Sequence, residues 1–67
     1  MRDRLIRTRG VSEMTGVSEG TLRWWRHKGD RGPKSFVLGE RRVVVYKESD
    51  VLAWIEERYQ ASQKEPA

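Results

Sequence analysis

Apolar residues in this 67-residue chain come in short clusters whose spacing changes along its length. Val11 and Met14 stand at i, i+3 ahead of Gly16, which predicts a first helix over about residues 9–15 with Thr8 as N-cap. Gly10 weakens that helix. Gly16 ends it, because glycine most easily takes a positive φ at a helix C-terminus. Ser18 then caps a second helix that Gly29 stops, and Val17 with Leu22 has the spacing of a hydrophobic staple across that cap. At about 100° per residue, Ser18, Leu22, Trp25 and Gly29 share one face. Gly20, Arg23, Trp24 and His27 fall opposite. Glu19 and Arg26 flank one edge, Thr21 and Lys28 the other.

Residues 29–35 read as a loop, with Gly29, Asp30, Gly32 and Pro33 in seven positions. Phe36-Val37-Leu38 and the run from Arg41 to Tyr46 are β-rich. Gly39-Glu40 between them predicts a hairpin with a type II′ turn, pairing Leu38 with Arg41, Val37 with Arg42 and Phe36 with Val43. A third helix over about 49–60 begins near Ser49, with Asp50 in its first turn. Val51, Leu52, Ile55 and Tyr59 form its stripe, Trp54 sits at the edge as a core or half-buried ring, and Trp25 belongs to the core. Residues 1–7 read as a basic arm anchored by Leu5 and Ile6, and 61–67 as a frayed polar tail. The fold class is therefore α+β, mainly α: a small winged helix-turn-helix domain over residues 8–60. It has three helices and a two-stranded hairpin wing between the second and third.

Charge sharpens the picture. Residues 1–47 hold 12 Lys/Arg against 5 Asp/Glu, net +7, whereas residues 48–67 hold 2 against 5, net −3. Such a dipole suits polyanion binding by the first two-thirds, or a merely solubilising surface. A docked helix with cations on its outer side has the form an element needs to enter the DNA major groove. There is no cysteine, hence no disulfide and no Cys-based zinc site. No apolar run approaches the roughly 20 residues of a membrane span. No hydrophobic stretch follows the N-terminal arginines, so a signal peptide is not expected and a cytoplasmic location is. His27 is the one histidine and has no carboxylate at helical spacing beyond the distant, Arg-paired Glu19, and Tyr46 and Tyr59 lack an Arg/His cage, so neither catalysis, nor a metal, nor a cofactor is expected.

Gly16-Val17-Ser18, Thr21-Leu22-Arg23, Trp25 and the segment from Tyr46 to Ile55 are similar to the MerR-like winged-helix domains of phage excisionases, the recombination directionality factors. The resemblance spans about residues 5–57 and is more specific for the superfamily than for excisionases within it. The short chain, without the long dimerisation helix or ligand domain of full MerR regulators, looks more like an excisionase. The resemblance implies double-stranded DNA binding and bending at attachment-site repeats, in the cytoplasm of a bacterial host. It further implies cooperative self-association on DNA and a phage integrase of the tyrosine type steered toward excision. A small transcriptional regulator of the same fold is the alternative, and a protein-interaction module anchored by Trp24 and Trp54 is a third.

By position, the resemblance puts Glu19, Gly20, Thr21, Arg23, Trp24 and His27 at the major groove, with Arg26 at its edge. Ser18, Lys28, Arg31 and Lys34 fall at phosphates, as Arg26 at the groove edge also does, and Arg41 and Arg42 of the wing at phosphates or the minor groove. Arg23 is the first candidate for base readout, since its planar fork matches guanine O6 and N7. The competing readings are a phosphate contact or pairing with Glu19 at i, i+4. Trp24 either touches DNA or folds back on Leu5 and Ile6. Glu40 at the wing tip opposes minor-groove entry unless Arg41 neutralises it or the tip stands clear.

Overall fold

A computed structural model describes residues 3–29 and 31–64. Asp30 of the loop, residues 1 and 2 of the expected arm and residues 65–67 of the expected tail lie outside the described residues. The elements run β1 (Leu5–Ile6), α1 (Thr8–Thr15), α2 (Glu19–Lys28), β2 (Phe36–Leu38), β3 (Val43–Lys47) and α3 (Glu48–Lys64). The winged helix-turn-helix architecture predicted from the sequence is the observed one, with one strand more than expected.

The helix-turn-helix is built by local chemistry. α1 closes on Gly16, whose φ of 78° lies in the left-handed region and whose N–H reaches the Ser12 carbonyl. The Thr15 hydroxyl donates to the Val11 carbonyl and accepts from the Val17 N–H, which ties down the turn. Ser18 caps α2 by accepting from the Thr21 N–H at 3.2 Å, and Gly29 stops it. The N-cap of α1 is Arg7 rather than Thr8, and no side chain bonds there. Threonine lies one residue inside the helix, where its hydroxyl serves Arg26 instead.

The expected arm is partly a strand. Leu5 pairs with Lys47 and Ile6 with Tyr46, so the sheet has three antiparallel strands in the order β1-β3-β2. Gly10 permits this, because a Cβ there would sit 2.5 Å from Cγ2 of Ile6. The hairpin register also differs from expectation: Leu38 pairs with Val43, Val37 with Val44 and Phe36 with Val45. The connection is a four-residue loop, Gly39 to Arg42, closed by the Arg42 N–H donating to the Gly39 carbonyl at 3.2 Å. Arg42 itself takes a φ of 55°, a conformation that glycine usually supplies. The slip is two residues on one strand, so every side chain keeps its face.

Val11, Leu22, Tyr46 and Val51 form the buried core, with Ile6, Val17, Trp25, Val44 and Ile55 packed against it. Trp25 is half-buried rather than fully enclosed. Its ring lies 5.8 Å from that of Trp54, and the backbone of Gly32 closes its other side, where a Cβ would come within 2.7 Å of the indole. α3 begins one residue before Ser49 and runs past the expected end at 60. Asp3 accepts from both the backbone N–H and the hydroxyl of Ser49, and the Glu48 N–H donates to the Arg4 carbonyl. Its inward stripe is narrower than the sequence suggests. Val51 is buried and Ile55 partly so, but Leu52 and Tyr59 are 52% and 56% exposed, and Met14 of α1 also remains at the surface.

Candidate nucleic-acid interface

Leu22, 1% exposed, and Trp25 pin α2 to the body, and that docking turns the opposite face outward. Gly20, Arg23, Trp24, His27 and Lys28 are exposed there. Gly20 has open space where a side chain would stand, so a partner surface can approach the helix backbone closely. Trp24 does not fold back on the N-terminal segment. It is 54% exposed, and the Lys28 ammonium lies 4.9 Å from its ring centroid. That cation–π contact makes one flat, positively charged platform of the pair.

Not every candidate faces out. Arg26 turns toward the body, with Nη1 3.4 Å from both Thr8 Oγ1 and Tyr46 Oη. It links α2 to α1 and β3 instead of standing at the groove edge. The Thr21 hydroxyl is engaged by Ser18 at 2.9 Å. Glu19 pairs with Arg23 at 3.7 Å across one helical turn, with both side chains partly exposed. An exposed pair of that kind is worth about 0.3–0.5 kcal/mol, weak enough for a DNA phosphate or base to displace.

The wing presents Arg41 and Arg42 from its loop, both exposed, and among the described residues neither they nor Glu40 forms an ion pair. Arg23, Arg41 and Arg42 come together around one groove. Its other lining residues are Arg7, Thr8, Arg9, Glu19, Val43 and Val44. Arg31 and Lys34 are not part of it; they line a separate groove against α3, with Asp50, Trp54, Glu57 and Arg58. Arg7 and Arg9 are the functional candidates that the sequence pattern does not disclose, because only the pairing of β1 with β3 carries them beside the wing.

Asp3 is held away from its ordinary value. The hydrogen bonds from the Ser49 hydroxyl and N–H lower its pKa, and Lys47 adds to the effect. Among the described residues no group of three or more His, Asp or Glu side chains is placed to hold a metal ion. No described helix is long and apolar enough to cross a membrane.

Residues 5–59 match a family model described as a helix-turn-helix domain. No curated protein and no solved structure matches the chain.

Proposed function

The chain belongs to the helix-turn-helix domain family and binds DNA through that motif, and from this premise we propose that it is an excisionase-type factor. In this reading α2 enters the major groove and the loop of the wing meets the adjacent minor groove or its phosphates. Arg23 reads a base, Trp24 packs against a sugar edge or a thymine methyl, and His27 and Lys28 complete the contact. Arg41 and Arg42 neutralise phosphates, which sets the register without reading sequence. The convergence of Arg23 with Arg41 and Arg42 around one groove carries the proposal. Neutralising phosphates on one side of a duplex leaves repulsion on the other side unbalanced, and the helix bends toward the protein. The bend gives the factor its role: it shapes attachment-site DNA so that a tyrosine-type integrase favours excision.

A domain of this size covers about 600–1,000 Å² of its own surface on DNA, which limits the affinity of one copy. Several copies side by side raise it. The exposed Leu52 and Tyr59 of α3, with Glu56 between them on the same face, offer an acidic, apolar face for the basic N-terminal segment of the next copy. The protein acts by binding and not by catalysis.

Circular-permutation gel shifts on attachment-site DNA, followed by an in vitro excision assay with the cognate integrase, test the proposal. Mobility should fall most when the site is central, and excision should rise with added protein. A straight bound duplex and an unaffected integrase would sink the excisionase reading in favour of a transcriptional regulator.

A further inference from the structure

We infer that the groove between α2 and the wing seats the sugar–phosphate strand, and that Arg7 and Arg9 make the β1–α1 junction a third DNA-contacting element. The inference rests on the reading above, with α2 in the major groove and the wing in the neighbouring minor groove. One sugar–phosphate strand separates those two grooves of a duplex, so it has to cross whatever lies between the two protein elements. What lies there is the groove to which α2 brings Arg23, the wing Arg41 and Arg42, and the first turn of α1 Arg7, Thr8 and Arg9.

Charge points the same way. Arg23 is held by Glu19 at 3.7 Å and Arg9 by Glu13 at 3.8 Å, both across exposed helical turns. Arg7, Arg41 and Arg42 make no ion pair among the described residues. Five guanidinium groups thus surround a concavity that holds one carboxylate, Glu19. At about 390 Å³ it is an open groove along which a strand can lie, and not a niche for a lone ion. The start of α1, at Thr8 and Arg9, lies on the same lining. No side chain caps it, so its first N–H groups are free for a phosphate oxygen. Contacts of this kind position the duplex and leave sequence choice to α2.

The test is fluorescence anisotropy of the full chain between 50 and 200 mM salt. It uses a random 20-bp duplex and the best duplex selected from a random library. Arg7→Ala should shallow the slope of log K against log[salt] by about 0.9 on both, so that it loses about 3.5-fold less affinity than the parent across that range. Arg58→Ala removes the same charge from the far groove and should leave the slope alone. Equal changes in the two variants, or none in Arg7→Ala, overturn the inference. Arg7→Lys should restore the slope, and thermal unfolding should show both variants folded. On the selected duplex, a single methylphosphonate in the strand between the two grooves should weaken the parent and be silent in Arg7→Ala. If no position behaves so, the seat is wrong although DNA binding stands. If instead Arg23→Ala and Arg41→Ala also leave the slope unchanged, the interface reading fails and the inference with it.

Discussion

Two grooves of this small domain differ in what builds them. Around the groove between α2 and the wing, five arginines stand with one carboxylate, Glu19, and with Thr8 and the start of β3. Around the groove between the 31–34 loop and α3, Arg31, Lys34 and Arg58 are interleaved with Asp50 and Glu57 beside Trp54. Charges of both signs within a Debye length of about 10 Å cancel each other's field, whereas a single sign gathered in a concavity focuses it. The first groove therefore attracts a polyanion. The second is a structural seam, where a loop closes over the tilted indole pair of Trp25 and Trp54. A sum of charges over the chain cannot separate the two, because both contribute cations to it.

The seam is tested by Trp25→Ala. The variant removes the ring that stands between Trp54 and the Gly32 backbone. It should cost about 3 kcal/mol, at the low end for an aromatic truncation because the ring is only half-buried. Urea denaturation measures this, and a loss below about 1 kcal/mol would mean that the seam does not hold the fold. Next in size, Arg23→Ala should remove about 1–3 kcal/mol of discrimination between selected and random duplexes. Lys34→Ala, taken from the balanced groove, should remove none. Competition binding with the two duplexes decides the matter, and equal losses in the two variants would erase the distinction between the grooves. Smaller again, Arg26→Ala should lower stability by about 1 kcal/mol and weaken all duplexes together, since its bonds run inward to Thr8 and Tyr46. Loss of sequence preference in that variant would place Arg26 on the DNA after all.

Much of the first groove's framework was legible in the sequence, because caps and turns are local chemistry. Gly16 and Gly29, lacking a Cβ, take the left-handed stops and Ser18 caps through its hydroxyl, all within a few residues, and Leu22 sets the buried face of α2. Features that depend on distant pairing were not legible. A two-residue strand, Leu5–Ile6, is too short to show alternation, and its partner lies some forty residues away. Gly10 looked only like a weak spot in a helix, although it clears space for Ile6. The hairpin slipped because the second left-handed position of its loop is an arginine, Arg42, where sequence patterns lead one to expect glycine. In α3, Leu52 and Tyr59 have helical spacing with the core residues, yet the small body is too narrow to cover them.

Arg42→Gly turns that surprise into a test of charge against backbone. Glycine relieves the left-handed strain of about 1 kcal/mol but gives up about 0.4–1 kcal/mol through a freer unfolded chain. Stability should stay within about 1 kcal/mol of the parent, while the salt slope shallows by about 0.9. A large loss of stability with an unchanged slope would make Arg42 a turn residue and take it out of the polyanion groove.

The smallest effect concerns the junction that links the two grooves. Asp3 ties the segment leading to Arg7 onto the start of α3 through Ser49, and these bonds hold its pKa below the ordinary carboxylate value. A carboxylate lowered in the folded state contributes stability above its unfolded pKa of about 3.9 and loses it as pH falls through the lower folded value. The parent should therefore show an acid limb in its melting temperature, beginning near pH 4 and continuing below it. In Asp3→Asn that part of the limb should be absent, because the neutral side chain takes up no proton, and the variant should melt lower at neutral pH, where only the parent keeps the charged contact. If the two proteins instead lose stability in parallel as the pH is lowered through that window, the Asp3–Ser49 clasp contributes nothing. Arg7 would then be placed by the pairing of Leu5 and Ile6 with β3 alone.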